Sequence, residues 1–280
     1  MDKIESVMDI HKKHELVKHF LHELDSVVVA YSSGIDSTFL LKTAFDACRG
    51  KVVAVTARSR MFPGRELEEA IAFCKKEGIP HIILDFDELE VEGFCDNPAN
   101  RCFLCKNELF AKIWLIAREH GIEHIVEGSN IDDDSDFRPG HLAIMQQGVK
   151  SPLRAAQLTK DELRSLSKEM GLQTWNNQSF ACLASRIPYG QKITPDKLEM
   201  IDKAEQLLLD MGFAQVRVRH HGNLARIETD ADGFMILADR GKRETIHDRL
   251  QQLGFTYVSN DLLGYRTGSM NETLEKTEIL

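Results

Sequence analysis

The chain has 280 residues, 42% hydrophobic and 28% charged, with a formal net charge of -9. That length suggests two domains with ordinary cores, and no apolar run approaches the roughly 18 residues of a membrane helix. The acidic balance argues against sequence-independent nucleic-acid binding, which relies on broad basic surfaces, and leaves small anionic substrates open.

In chain order, the amino terminus MDKIESVMDIHKKHELVKHF is amphipathic over residues 6 to about 23 and has no signal-peptide core. A cytoplasmic protein without a membrane partner is therefore expected. A strand over 26–31 leads through a Ser/Gly turn into a helix over 36–48. Val52–Thr56 reads as a second buried strand, Arg65–Gly78 as a helix and His81–Phe86 as a third strand. Residues 102–121 are helical and Ile125-Val126 is a fourth strand. This rhythm predicts an α/β fold, a parallel sheet with helices on both faces, whose ligands bind beyond the carboxyl ends of the strands. There the Ser/Gly turn, the segment after Thr56 and Glu127-Gly128-Ser129-Asn130 would converge.

The connection from Gly128 to Gly148 carries Asp132, Asp133, Asp134, Asp136 and Arg138 with little periodicity. Either it is a solvated acidic loop, or one acid holds Mg2+ beside a nucleotide while Arg138 faces a phosphate or carboxylate. A helix over 159–171 precedes the irregular stretch TWNNQSFACLASRIPYG. A long helix over 194–211 then leads to a hairpin, 214–220 and 224–229, in which Arg217 and Arg219 share one face. They form an anion clamp or line a wet sheet face beside Glu228. A helix over 239–253 and a strand over 255–258 complete a small α+β unit. The expected domains are 1–190 and 191–280, divided where Ile187-Pro188-Tyr189-Gly190 breaks the pattern.

Ser32-Ser33-Gly34-Ile35-Asp36-Ser37 stands where the first strand becomes a helix. Hydroxyls, close-spaced backbone N–H groups and a helix amino terminus make a seat for a phosphate. Ser and Gly can also simply turn the chain, with Asp36 favoured in a first helical turn. The Lys-Ser/Thr of a Walker A loop is missing, and SSGIDS resembles the PP-loop SGGxDS of the ATP pyrophosphatases, which leave AMP on the substrate. Ser33 replaces the first Gly, a strained choice if that position needs a positive φ.

Six cysteines in a reducing compartment are not expected to be a disulfide framework. Cys48 and Cys74 fall on apolar helix faces and read as core. Cys102 and Cys105 lie at i and i+3 in a first helical turn, where thiolate is favoured, and Cys182 lies in a distant loop. Three soft ligands suit an iron-sulfur cluster, while zinc would want a fourth from Cys95 or a histidine. A redox pair or coincidence also fits a lone CxxC.

RCFLCKNELF, DFRPGHLA, SPL, ACLASRIPYG, VRVRHH and ARIE, in that order behind SSGIDS, resemble the LarE family over essentially the whole chain. The resemblance implies an adenine nucleotide alpha hydrolase-like fold and an ATP-dependent sulfurtransferase acting on pyridinium-3,5-biscarboxylic acid mononucleotide for nickel-pincer cofactor synthesis in lactate racemase maturation. Some members sacrifice a cysteine sulfur, whereas others hold a 4Fe-4S cluster on three cysteines, a pattern that Cys102, Cys105 and Cys182 match. ATP phosphates would then meet Ser32, Ser33, Gly34, Asp36 and Ser37, with Thr56, Gly128, Lys106 and Arg138 nearby. Ser185, Arg186, Arg217 and Arg219 would hold the substrate phosphate, beside Glu205 and Glu228. The implied partners are the mononucleotide, a sulfur donor and further copies in a homo-oligomer, without nucleic acid. The alternatives are a PP-loop tRNA thiolase and a non-catalytic iron-sulfur sensor.

Overall fold

In the computed structural model the described residues are 9–135, 139–177, 181–266 and 268–274. They form two compact units. The first takes in residues up to 58, 64–86 and 105–179, and the second takes in 59–63, 87–104 and 180 onward.

The first unit is built on helix α1 (Ile10–Leu24), strand β1 (Val27–Ala30), α2 (Ile35–Ala47), β2 (Val52–Arg58), α3 (Gly64–Glu77), β3 (His81–Asp85), α4 (Arg101–Glu119) and β4 (Ile125–Val126). The strands pair in the order β3-β2-β1-β4, all parallel. Val27, Val28 and Val29 are wholly buried, as the centre of a doubly covered sheet demands. One face packs Phe39 and Leu40 of α2 and Ala70 and Cys74 of α3, and the other packs Phe110, Ile113 and Ala117 of α4. Successive helices therefore change face around β1 and β4, and the crevice beyond those two strand ends is where such sheets place ligands. After β4 come the short helices α5 (Gly140–Gln146) and α6 (Pro152–Ala155), then α7 (Lys160–Glu169). The capping box between Thr159 and Glu162 fixes the start of α7.

The second unit holds α8 (Pro195–Asp210), β5 (Val216–His221), β6 (Leu224–Thr229), α9 (Ala231–Ala238), α10 (Arg240–Gln252) and β7 (Tyr257–Asn260). β5 and β6 are an antiparallel hairpin turning at Gly222-Asn223, and β7 joins β6 in parallel after the two helices. Val216, Val218, Ala225 and Ile227 face the core with Leu208, Ile246 and Phe255.

The expected elements and fold class are present, with three differences. α9 is absent from the sequence reading because ADGFMILA is too short and too uniformly apolar to show a helical stripe. α5 interrupts the connection read as irregular. The last strand begins two residues later than expected, since Phe255 is a core anchor at the end of the α10–β7 turn. Cys74 is buried and Cys48 half-buried, and burial pushes their thiols up to about 12 and about 11.

His14 of α1 lies within hydrogen-bond reach of Thr43 Oγ1, at 3.2 Å from Nε2, and its ring packs on Phe39 at 4.9 Å. Burial, with help from Lys18, lowers its pKa to about 4 against the opposing charge of Glu15. Because the folded value lies below the unfolded one, the unfolded chain binds the proton first between about pH 6.5 and 4. This contribution is complete above that window and is lost as pH falls through it. His14→Gln is expected to flatten the decline in urea-unfolding stability between pH 7 and 4.5 relative to the parent chain.

Candidate active site

In the first unit the turn after β1 forms the expected seat. Ser33 adopts φ +57°, the left-handed conformation that favours glycine, and is buried. Its Oγ donates to Ser32 O at 2.7 Å, holding the turn closed. Ser37 Oγ accepts from Ser32 N at 3.3 Å, lies 3.1 Å from Ser32 Oγ and donates to Gly34 O at 3.1 Å. Gly34 is the N-cap of α2 with extended backbone, so the first-turn N–H groups lie directly behind the loop.

Asp36 lies in that first turn. Its Oδ2 is 2.5 Å from Lys160 Nζ, and its Oδ1 is buried without a hydrogen-bond partner. Burial raises its pKa, Lys160 opposes that, and Asp133 adds to the rise. In the acidic loop Asp133 Oδ2 accepts from Asn130 N at 3.0 Å, and Asp132 Oδ2 accepts from Lys160 N at 2.8 Å. Thus Asp132 helps to anchor α7, whereas Asp133 lies electrostatically beside Asp36. Glu127 at the end of β4 accepts from Ser151 Oγ, and from Ser129 N and Oγ at 3.1 and 2.8 Å, which fixes the chain on either side of Gly128. Gly128 is a packing residue: a Cβ there would lie 3.0 Å from Ser37 N and 3.2 Å from the carbonyl carbon of Asp36. Thr56 is buried and engages His81 Nε2 at 2.8 Å. Lys106 is half-buried in α4. Arg138 and Asp136 lie outside the described residues, as do 178–180 of the irregular stretch.

The second unit contains Cys102, Cys182 and the arginines, while Cys105 begins a segment of the first. Arg101 opens α4, lies 4.3 Å over the Tyr189 ring and donates to Asn97 Oδ1 at 2.8 Å, with its Nε buried and unpartnered. Cys182 is raised in pKa by burial and then by Cys102, while Arg101 and Arg186 pull it down. Cys105 follows Cys102 by one turn of α4. Among the described residues no three His, Cys, Asp or Glu side chains are gathered as a metal ion would require, and the Cys102 charge is felt at the Cys182 thiol. None of the six cysteines is in a disulfide.

Arg186 forms a bidentate pair with Glu205, 2.8 Å at both contacts, and both side chains are 3% exposed. It also donates to Ser185 Oγ at 2.9 Å and Ala181 O at 2.6 Å. Glu205 accepts from Val218 N at 2.9 Å as well. Burial would raise the Glu205 carboxyl, yet Arg186 and its other donors hold it below the usual carboxylate range. Arg219 donates to Glu228 Oε2 at 2.7 Å, Ser269 Oγ at 2.9 Å and Ser185 O at 2.9 Å, while its Nε is buried and unpartnered. Arg226, opposite Arg219 in the ladder, donates to Glu228 Oε1 at 2.9 Å. Arg217 lies 5.4 Å from the centre of the Tyr265 ring, and burial together with the like charge of Arg186 lowers its pKa to about 10. The arginine face is therefore buried and not the wet sheet surface weighed above. Glutamates aim the guanidinium groups of Arg186, Arg219 and Arg226, and Arg217 Nη1 donates to Val216 O at 2.8 Å.

Lys160, Arg101 and Arg226 were not singled out as site residues in the sequence. Lys160 and Arg101 carried one usable signal, a cation at a helix amino terminus, where the dipole disfavours it.

No family model matches the chain. It is 38% identical over 267 residues to an uncharacterized protein of Synechocystis, covering 95% of this chain and 100% of the relative. It is 35% identical over 263 residues to the pyridinium-3,5-bisthiocarboxylic acid mononucleotide synthase of Lactiplantibacillus plantarum, covering 92% and 94%. An uncharacterized protein of Methanocaldococcus jannaschii is 25% identical over 241 residues, covering 86% and 91%.

Two substitutions test the geometry. Gly128→Ala is expected to cost about 1–3 kcal/mol in chemical unfolding, because its methyl meets the backbone of α2 and not a movable side chain. Glu205→Gln is expected to cost about 3 kcal/mol by the same measurement, since it leaves the Arg186 charge buried without its counter-charge.

Proposed function

The chain belongs to the LarE family of sulfurtransferases, and from that membership we propose that it thiolates the carboxylates of pyridinium-3,5-biscarboxylic acid mononucleotide at the expense of ATP, for nickel-pincer cofactor synthesis. The observation that carries the reading is the turn after β1. There a left-handed Ser33, the Ser37 hydroxyl and the start of α2 stand in one turn with Asp36, which is paired to Lys160.

A carboxylate oxygen is a poor leaving group, so exchange for sulfur needs activation. A substrate carboxylate oxygen attacks the α-phosphorus of ATP, and the bond to the bridging oxygen breaks with its electron pair leaving on pyrophosphate. Ser32, Ser33, Gly34 and Ser37 receive the phosphates through hydroxyl and backbone N–H donors, and Asp36 with Asp133 offers the hard oxygen donors that Mg2+ prefers. Sulfur then adds to the acyl carbon, and AMP departs with the oxygen that linked it, leaving a thiocarboxylate. Arg217 and Arg219, oriented by Glu228 and by the Arg186–Glu205 pair, hold the phosphate of the mononucleotide.

The donor chemistry of Cys102, Cys105 and Cys182 suits a 4Fe-4S cluster, which would supply a coordinated sulfide from an iron that the protein leaves open. The chain's own part would be to present those thiols, with Arg101 and Arg186 opposing the upward push that burial and Cys102 give the Cys182 thiol. The second unit would thus handle substrate, and copies of the chain would associate as a homo-oligomer in the cytoplasm.

Incubation with the mononucleotide, ATP and a sulfide source is expected to give AMP, pyrophosphate and the thiocarboxylate in step, with the mass of the chain unchanged after several turnovers. Asp36→Ala is expected to lower AMP formation by about a hundredfold or more. Replacing Cys102, Cys105 and Cys182 by Ala should abolish the sulfide-to-iron absorption of anaerobically reconstituted protein. A chain that loses the mass of hydrogen sulfide instead identifies a sacrificial cysteine, and a wild-type chain that never forms AMP refutes the adenylation.

A further inference from the structure

Lys160 occupies an electrostatically unfavourable place. It is the first residue of α7, where the dipole favours acids, and Asp161 and Glu162 follow in the same turn. The helix start does not depend on its side chain. Thr159 Oγ1 accepts from Glu162 N at 3.2 Å, Glu162 Oε2 accepts from Thr159 N at 2.9 Å, and Lys13 Nζ holds Glu162 at 2.8 Å. The Lys160 side chain reaches instead across 124 positions of sequence to Asp36 Oδ2 at 2.5 Å. The two side chains are 24% and 22% exposed. The pair is largely withdrawn from water and satisfies only one of the two Asp36 oxygens, since Oδ1 is buried without a partner.

The acceptor end is equally informative. Asp36 stands two residues after Gly34 in the phosphate loop, its Oδ1 is buried without a partner, and Asp133 adds a second negative charge beside it. A polyphosphate entering this loop approaches acids unless a cation stands with them. The ammonium of a lysine has three donors and no fixed plane, and the contact with Asp36 takes one of them.

We propose that Lys160 is a phosphate ligand of the adenylation step: paired with Asp36 in the empty loop, it turns its remaining donors to the β- and γ-phosphates of ATP and holds them as they leave together as pyrophosphate. This rests on the adenylation reading above. When the bond from the α-phosphorus to the bridging oxygen breaks, negative charge accumulates on that oxygen, and a cation already at the loop stabilises it without reorganisation. A residue that only neutralised Asp36 would have no such role.

Calorimetric titration of the full-length chain with inorganic pyrophosphate separates the two. Wild-type chain that binds no pyrophosphate at all overturns the phosphate-loop reading itself. With wild-type binding in hand, Lys160→Met and Lys160→Gln are each expected to weaken it by about tenfold or more, as loss of a charge-assisted contact does. Asp36→Asn is expected to bind pyrophosphate at least as tightly as the parent in metal-free buffer. Asp36→Asn combined with Lys160→Met should bind about tenfold more weakly than Asp36→Asn alone. Lys160 variants that match the parent, or a double variant that matches Asp36→Asn, overturn the proposal and leave the phosphate loop in place.

Discussion

The first unit depends on one tight turn. β1 is hydrogen-bonded on both sides, to β2 and β4, so the chain leaving it can only rise into the crevice and fold back as α2. Gly128 presses from the neighbouring strand end to within contact of the α2 backbone, which fixes the height of that helix start. The turn closes by placing Ser33 at φ +57°, a conformation that costs a non-glycine residue of order 1 kcal/mol or more. The hydrogen bond from its own hydroxyl to Ser32 O offsets part of this. Strain and close approach are thus concentrated where N–H groups must point together at one anion, and the rest of the unit is ordinary parallel-sheet packing.

The second unit solves a different electrostatic problem. A chain of net charge -9 that binds an anionic mononucleotide cannot rely on its overall field, which repels the ligand. It relies on guanidinium groups withdrawn from water, where an opposite charge is felt strongly. Burying arginines is costly unless they are paired, and Glu205 and Glu228 supply that pairing while accepting from several donors at once. The glutamates therefore make the cationic site possible without themselves needing to touch a ligand. Arg219 opposite Arg226 is an unfavourable cross-strand pair by itself, and it is tolerable because one fully buried carboxylate lies between them.

The parts of this arrangement that were legible in sequence are those encoded locally. VVVAYSSGIDS announces strand, turn and helix through β-branched residues, small residues and an acid in consecutive order. The alternation of VRVR and ARIE gives the face that Arg217, Arg219 and Glu228 share. What could not be read are couplings between separate segments: Lys160 to Asp36, Arg186 to Glu205, and Asn97 to the loop at Pro188. Periodicity predicts which face a residue lies on, but not what comes to meet that face. The same limit explains the cysteines. Spacing places Cys102 and Cys105 on one turn, whereas only the folded chain shows that Cys182 is electrostatically close to Cys102. Lys160 and Arg101 were visible as cations at the wrong helix end, a local inconsistency of the kind that function tends to impose.

Adenylation and sulfur transfer also ask for opposite things from their surroundings. The phosphate loop must lower the cost of negative charge while the leaving group forms, and it does so with fixed dipoles and a lysine close by. The thiols must not act before an acyl adenylate exists, since a thiolate reacts readily with oxidants and metals. Burial and the proximity of Cys102 push the Cys182 thiol above its ordinary pKa, and Arg101 and Arg186 oppose that rise. Arg186 is the same group that clamps Glu205 and donates to Ser185, so the charge that tempers the thiol belongs to the framework of the anion site.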